Sequence, residues 1–192
     1  MTLAFVLIVV VVAIVVVGIL LLTKGQQDAA WKRLATDIGA EFIKGGWLRS
    51  SKVQAQVKQR TVTLDTYTVR HGKSSSTYTR LSSPLHNRDG FEFTVSREGL
   101  MGKLGKALGS QDVEIGISDF DSDFLVQGNN ENQLRTLLAD ARIRELIHGQ
   151  RSIRLGLKGD ELHFQAPGVI KDVPRLKSLF ELFGALLDRL EP

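Results

Sequence analysis

The sequence predicts an α+β fold: one N-terminal transmembrane helix followed by an antiparallel-sheet domain packed with helices and a C-terminal amphipathic helix. Three observations lead to this prediction. Residues 3–22 form an unbroken apolar run. Several later runs alternate apolar and polar residues, as strands of an antiparallel sheet with one wet face do. Other stretches repeat apolar residues at helical spacing. The order helix, strands, helices, hairpin, helix is typical of an α+β domain.

The apolar run predicts a transmembrane anchor over residues 1–25. It contains twenty residues with one glycine and no polar side chain, and a helix of that length spans roughly 30 Å, the thickness of the hydrocarbon core. A cleaved signal peptide is disfavoured because no basic residue precedes the run. Lys24, Lys32, Arg33 and Lys44 follow it, so the positive-inside rule predicts a single-pass protein of the inner (cytoplasmic) membrane, with its N-terminus outside and its C-terminal domain in the cytoplasm.

Residues 26–192 predict one soluble α+β domain with five segments. The first is a juxtamembrane amphipathic helix, whose apolar stripe includes Trp31 and faces either the domain core or the lipid headgroup layer. Asn129 or Asn130, and then Asp140, are candidate caps of two later helices. The segments are a juxtamembrane helix at 26–43, a β-rich section at 46–97, a motif with helices at 98–148, a β-hairpin at 151–166 and a C-terminal helix at 172–190.

The charge of the chain is unevenly distributed. Between Lys44 and Lys106 there are twelve Lys or Arg against four acids, whereas between Ala107 and Glu145 there are three Arg against eight acids. This asymmetry predicts a basic face that can attract anionic lipid headgroups or another acidic ligand. Part of the basic section is typical of a short amphipathic helix that contacts lipid or a protein partner. The alternative interpretation is a connector helix packed on the sheet. The residues predicted to make the lipid or partner contact are Leu100, Met101, Lys103, Leu104 and Lys106.

The residues that usually carry chemistry do not form a recognisable site in the sequence. There is no cysteine, the four histidines are scattered, and the lysines at 103 and 106 are followed by Leu and Ala rather than by the Ser or Thr of a phosphate loop. Asp119, Asp121 and Asp123 alternate, but the sixth and twelfth residues of a calcium loop counted from Asp119 are Phe124 and Asn130. The sequence therefore predicts a non-enzyme with no catalytic, cofactor or metal site, and without nucleic acid as a partner.

The stretch from residue 103 to 148 resembles an uncharacterised bacterial family of N-terminally membrane-anchored proteins. The resemblance rests on a lead of the form LGxQDxExG, a core of the form FDxxFxVxGN and a helix ending in IRxLI. It implies family membership but no activity. The motif also has a structural explanation, because two phenylalanines can turn inward while an acid bonds backbone amides. The motif residues are Gln111, Asp112, Gly116, Phe120, Asp121, Phe124, Val126, Gly128 and Asn129.

Two functions are compatible with these features. The first is a single-pass, membrane-anchored, non-catalytic accessory or scaffolding subunit of a larger bacterial membrane protein complex, for example a bioenergetic or transport complex. The second is a membrane-tethered binding module for anionic lipid or another acidic ligand. The expected partners are the membrane, other membrane protein subunits and anionic lipid headgroups.

Overall fold

The computed structural model describes residues 2–46, 49–72, 74–97 and 111–190. It contains a nine-stranded antiparallel sheet with helices against one face, so the predicted α+β class is confirmed. The other face of the sheet carries polar side chains in lateral rows. The hydrophobic core lies between the helices and the inward residues of the strands.

Helix α1 covers Thr2–Ile38 and has two unlike parts. Its C-terminal part buries Trp31, Leu34 and Ala35 against the sheet and the last helix of the chain. Its N-terminal part, over residues 5–15, exposes apolar side chains on every side of the helix. The helix ends at Ile38 because Gly39 takes a positive φ of 66°, a left-handed conformation common just after a helix.

The prediction of a transmembrane helix is corrected by the structure. Among the described residues, no helix combines the length and the hydropathy needed to cross a membrane. The membrane and single-pass assignments, the outside N-terminus and the inner-membrane location with a cytoplasmic domain are corrected with it.

The sheet is built from nine strands in the order β1-β2-β3-β4-β9-β8-β5-β7-β6. All neighbouring strands are antiparallel. The last hairpin, β8–β9, therefore inserts between β4 and β5, which are consecutive in sequence. The strands are β1 (Glu41–Ile43), β2 (Lys52–Val57), β3 (Arg60–His71), β4 (Ser74–Pro84), β5 (Phe93–Arg97), β6 (Gln111–Asp112), β7 (Phe124–Gly128), β8 (Arg154–Lys158) and β9 (Glu161–Pro167).

The alternation of apolar residues along the strands selects the buried face. Val62 and Leu64 of β3, Leu81 of β4 and Phe164 of β9 point into the core and are fully buried. Their neighbours in sequence point to the opposite face, because successive side chains of a strand alternate. One polar layer therefore accompanies the apolar layer across the whole sheet.

Within residues 111–190, four more helices follow α1. Asn130 caps α3 by accepting a hydrogen bond from the Gln133 amide, and Asp140 caps α4 by accepting one from the Arg142 amide. The last helix buries seven side chains along its inner face and packs beside α1 and α4. The helices are α2 (Ser118–Asp123), α3 (Glu131–Leu138), α4 (Ala141–His148) and α5 (Val173–Leu190).

The predicted juxtamembrane helix at 26–43 is the C-terminal part of α1 in the structure, and it ends at Ile38. Ala40 donates its amide to the Ala35 carbonyl at 2.8 Å, which closes the end of α1. Residues 41–43 then form β1, whose Phe42 pairs with Val53 of β2. Gly39 is the glycine that ends the helix, four residues before the predicted end.

Candidate functional site

The sheet face opposite the helices contains a groove of about 760 Å³. This volume lies within the roughly 300–1,000 Å³ of ordinary small-molecule sites. The groove crosses β4, β9, β8, β5 and β7, and we call it the open-face groove. Its lining is mostly polar, so a ligand that fills it would be recognised through hydrogen bonds and charge. The lining residues are Arg80, Glu92, Phe93, Thr94, Gln127, Gly128, Asn129, Arg154, Leu157, Lys158, Glu161, His163 and Gln165.

One lateral row of the open-face groove joins four strands. Asp65 pairs with Arg80, Arg80 with Gln165, and Gln165 with Arg154 in the strand register. Asp65 accepts two hydrogen bonds from Arg80, from Nε at 2.9 Å and from Nη2 at 2.6 Å. The pKa of Arg80 is raised, chiefly by this hydrogen-bonded carboxylate. Arg80 is therefore a fixed cation in the row.

Tyr67 supports the same row from the side. Its hydroxyl donates to Gln165 Oε1 at 2.6 Å, its ring stacks on Tyr78 with centroids 5.4 Å apart, and the Arg80 guanidinium lies 5.4 Å from its centroid. Burial is the main reason that the pKa of Tyr67 is raised, so the hydroxyl keeps its proton and remains a donor. The orientation of the Gln165 amide is thereby set, with its nitrogen directed away from this bond.

Arg154 differs from Arg80, the other arginine of the row. It is half-buried on β8 between Gln165 and Ser96. No carboxylate and no hydrogen-bond acceptor contacts its guanidinium within the described part of the chain. Ser96, next to it in the register, is 2 % exposed, and its hydroxyl also lacks a partner among the described residues. At this end of the row, the Arg154 guanidinium and the Ser96 hydroxyl are therefore both without a hydrogen-bond partner among the described residues.

A second row passes beside the first one through His163. His163 pairs with Gly156, and Gly156 with Thr94. Burial lowers the pKa of His163, so its imidazole is neutral near pH 7. A Cβ at Gly156 would lie 2.5 Å from the Phe93 carbonyl oxygen and 3.3 Å from His163 Cε1. Glycine at this position therefore allows the strands and the imidazole to approach each other.

A second concavity of about 980 Å³ lies at the end of the domain near the C-terminus of α5. Two of its charged groups are paired with nearby residues. Arg189 donates to Asp140 Oδ2 at 2.8 Å, and Asp188 pairs with Lys58. Arg189 and Asp188 are therefore less available to a ligand than Arg154 of the open-face groove is.

The three alternating acids of the 116–130 motif have separate structural environments. Asp121 accepts backbone hydrogen bonds from the amides of Ile115, Gly116 and Ile117 at 2.9–3.0 Å. It therefore fixes the loop before α2. The Asp119 carboxylate makes no hydrogen bond within the described residues. Within the same described residues, no group of three or more His, Cys, Asp or Glu could hold a metal ion.

The third acid, Asp123, belongs to a cluster at the end of β5. It accepts from Arg97 Nη1 at 3.3 Å, and its Oδ2 lies 3.6 Å from His148 Nδ1. Phe120 and Phe124 are buried with ring centroids 4.6 Å apart, and His148 meets both rings edge-on. Asp123 and the two phenylalanines therefore connect the sheet to α4, because they contact Arg97 on β5 and His148 on α4.

The end of the motif connects β7 with the next helix. Asn129 accepts from the Glu92 amide at 2.9 Å and donates to the Gly90 carbonyl at 2.7 Å. A Cβ at Gly128 would lie 3.0 Å from the Glu92 carbonyl oxygen. The side chain of Asp112 accepts from Gln127 Nε2 at 2.8 Å, and Val126 is buried in the core. Gln111 lies in β6.

The predicted lipid- or partner-contacting residues have different outcomes. Trp31 is fully buried, and its indole Nε1 donates to the Ile170 carbonyl at 2.9 Å. It is thus part of the core and is not accessible to lipid. The remaining residues of that prediction lie outside the described residues: Leu100, Met101, Lys103, Leu104 and Lys106.

Most of the groove residues were not singled out from the sequence, and Gly128 and Asn129 were singled out only as motif residues. Arg154, His163 and Gln165 sit at alternate positions of two hairpin strands, and each was readable as an ordinary solvent-facing residue. Arg80 comes from a third strand that is about 70 residues away in sequence. The only sequence signal was Gly156 between Leu155 and Leu157, since a glycine inside a strand often marks a close approach.

Comparisons with known proteins show a fold likeness. No protein-family model matches the chain, and no curated protein matches it significantly. The resemblance to the uncharacterised family therefore stays a prediction. A solved structure, the mycobacterial trehalose monomycolate transport factor A, TtfA, matches with a TM-score of 0.58 and 12 % sequence identity, covering 86 % of this chain and 94 % of that chain. At this identity the match shows the shared fold alone.

Proposed function

We propose that this chain is a non-catalytic accessory or scaffolding subunit of a larger bacterial membrane protein complex. The observation that carries the proposal is the apolar segment of α1 at residues 5–15, which we call the docking segment. Its large side chains are half to two-thirds exposed, from 50 % at Val10 to 68 % at Phe5. A helix that is apolar all round is normally enclosed by other nonpolar groups, and nothing in the described part of this chain encloses it.

The energy available from covering the docking segment is large. Fully burying one Val, Leu or Ile side chain contributes about 1.5–3 kcal/mol, so a partner that covers several of them gains enough to offset the cost of association. The segment continues without a break into the part of α1 that is held by Trp31. A partner bound to it is therefore rigidly coupled to the domain.

The type of complex is proposed from two further considerations. The sequence lacks the nucleophile, phosphate-loop and metal patterns of common enzymes, which favours a subunit without its own chemistry. The fold resembles that of a protein named as a transport factor, which favours transport among the candidate processes.

Site-specific photo-crosslinking in native cells tests the proposal. A photoreactive amino acid replaces Val11 in the full-length chain, and a matched variant carries it at Glu181, an exposed position on α5. We expect one identified protein to be linked at Val11 and not at Glu181. We also expect this adduct to be lost when Ile8 and Val12, one helical turn apart, are both replaced by Asp. Adducts at Val11 that contain only lipid, or no adduct at all, would sink the proposal.

A second candidate function is a binding module for an acidic ligand. The observation that favours it is the unpaired, half-buried Arg154 in the open-face groove. In this version the ligand is recognised by the sheet, on the side opposite the helices, and not by the basic residues between 100 and 106. The two candidate functions use different surfaces and can be tested separately.

A further inference from the structure

We propose that the open-face groove binds a phosphate monoester, with Arg154 as the principal anchor and with Arg80 and Gln165 as flanking donors. This inference rests on the second candidate function and not on the scaffold proposal. The shared ligand chemistry is a terminal phosphate, whether on a small soluble ester or on a lipid headgroup.

Arg154 is the first reason for this assignment. An arginine that lines a groove and has no acceptor on its guanidinium keeps all its donors available for an anionic ligand. Arg154 is half-buried near the middle of the sheet and contacts no described carboxylate. Arginine presents a planar set of five donors that suits bidentate contact with phosphate. An anion in the groove would supply the missing partner.

The neighbouring residues are prepared as donors by their own contacts. Asp65 occupies Nε and Nη2 of Arg80, so Nη1 remains available. Tyr67 occupies the oxygen of Gln165, so the amide nitrogen remains as the free end of that side chain. Both residues line the groove. The contact with Asp65 therefore leaves Nη1 of Arg80 as a donor for a ligand. The contact with Tyr67 leaves the amide nitrogen of Gln165 as another.

The spacing of the row favours phosphate over a simple carboxylate. Arg80, Gln165 and Arg154 lie on three adjacent strands, so the two arginines are about 10 Å apart at their Cα atoms. Their long side chains can converge on one group from two sides, with Gln165 between them. A phosphate monoester offers three terminal oxygens for three donors, whereas a carboxylate is satisfied by one arginine alone.

The rest of the groove limits the size and polarity of the ester. Thr94, Gln127 and Asn129 continue the polar lining beyond Arg154. Glu92 and Glu161 also line the groove, and they disfavour a second anionic group. The ligand class that fits is therefore a monoester with a neutral, hydroxyl-bearing remainder.

Titration of the full-length chain in mild detergent with glycerol 3-phosphate tests the inference. The readout is the NMR signal of the His163 imidazole, which lines the same groove. We expect a saturable shift of this signal in the wild type. We expect at least about a tenfold loss of affinity in Arg154→Gln, since a charged hydrogen bond contributes about 1.5–3 kcal/mol. Arg154→Lys, which keeps the charge but not the planar set of donors, should bind with intermediate affinity.

Arg142→Gln is the matched control, because Arg142 is an exposed arginine on α4 in the helical layer. It should bind like the wild type. All three variants should unfold at the wild-type temperature, since neither guanidinium has a described partner to lose. The absence of a saturable shift, or equal affinity of wild type and Arg154→Gln, would overturn the proposal.

Vesicle binding separates the two sources of the phosphate. Phosphatidylcholine vesicles are compared with vesicles that also contain phosphatidic acid, so that binding that does not depend on the phosphate headgroup is subtracted. Extra binding to the phosphatidic acid vesicles that disappears in Arg154→Gln assigns a lipid headgroup. Binding of glycerol 3-phosphate without such extra binding assigns a soluble ester. Because these experiments change only the groove, their failure leaves the crosslinking test at Val11 unaffected.

Discussion

The two faces of the sheet use the same strands for different purposes. On the helical face, Leu64, Leu81, Phe164 and Trp31 are fully buried and touch side chains from distant parts of the chain. On the open face, the residues between them form polar rows with both satisfied and unsatisfied groups. Adjacent residues of a strand therefore differ sharply in what their loss would affect: stability on one face and recognition on the other.

This difference shows how one fold can hold a candidate site without sacrificing its core. The core face alone supplies most of the burial energy, at about 25 cal/mol for each Å² of apolar surface removed from water. The open face is then free to retain groups such as the Arg154 guanidinium, which contribute little to folding. Each of the following substitutions either sharpens or breaks this division of roles.

Trp31→Ala should have the largest effect on stability. Truncation of a fully buried tryptophan leaves a cavity, and such changes cost about 3–5 kcal/mol; the hydrogen bond to Ile170 is lost as well. Urea denaturation followed by circular dichroism measures the change. Trp31→Phe should cost clearly less because it keeps most of the apolar contact. Equal stability of wild type and Trp31→Ala would contradict the packing of α1 on the domain.

Asp121→Asn should have the next largest effect. The carboxylate accepts three backbone hydrogen bonds, and an amide keeps one accepting oxygen and turns the other site into a donor. We expect a loss of about 1.5–3 kcal/mol in the free energy of unfolding. Asp119→Asn is the control, because the same change there removes no described hydrogen bond and should be nearly neutral. A comparable loss in both variants would argue for a shared role of the acids instead.

Gly156→Ala tests whether a substitution on the open face can lower the stability of the fold. The added methyl group would lie 2.5 Å from the Phe93 carbonyl oxygen, a backbone atom of the neighbouring strand. Overpacking of this kind costs about 1–3 kcal/mol, and thermal unfolding should detect it. Gly25→Ala provides the contrast: its methyl group meets no atom within 4 Å in α1, so it should be neutral or stabilising.

His163→Gln should produce the smallest effect, and it should appear as a change in pH dependence. Burial, with help from Arg154 and Lys158 and against Glu161, lowers the pKa of His163 from its usual 6.5 in the folded state. Below about pH 6.5 the unfolded chain therefore binds this proton first, and stability falls as the pH falls.

Chemical denaturation of both proteins at about pH 8 and about pH 5.5 measures this effect. The wild type should lose more stability than His163→Gln between these two values. The lowered pKa values of Asp37 and Asp140 act around and below their usual 3.8, outside this window. A steeper pH dependence in the variant would mean that the imidazole is not protected from solvent.

Local features of this fold could be predicted from the sequence. The caps Asn130 and Asp140 precede their helices with the expected side chains, and the structure shows both accepting amide hydrogen bonds. The Lys158-Gly159-Asp160 turn and the inward pair Phe120 and Phe124 are also local, because each depends on residues within a few positions of one another. Short-range sterics and hydrogen bonding are sufficient for such features.

Long-range features could not be predicted in the same way. The insertion of β8 and β9 between β4 and β5 depends on tertiary packing that no local pattern encodes. The groove depends on that insertion, since it brings Arg80 beside Gln165 and Gln165 beside Arg154. The transmembrane prediction, which came from hydropathy alone, is the part that the described structure corrects.

The hydrogen bond between the Trp31 indole and the Ile170 carbonyl has a consequence for the synthesis of the chain. The two residues are 139 positions apart, and β4 pairs with β9 only after about 80 further residues have been made. During translation, α1 and the first four strands therefore lack their packing against the last hairpin and α5 until those elements leave the ribosome. We expect the contacts between the two ends of the chain to form late in folding, because contacts of such long range close slowly.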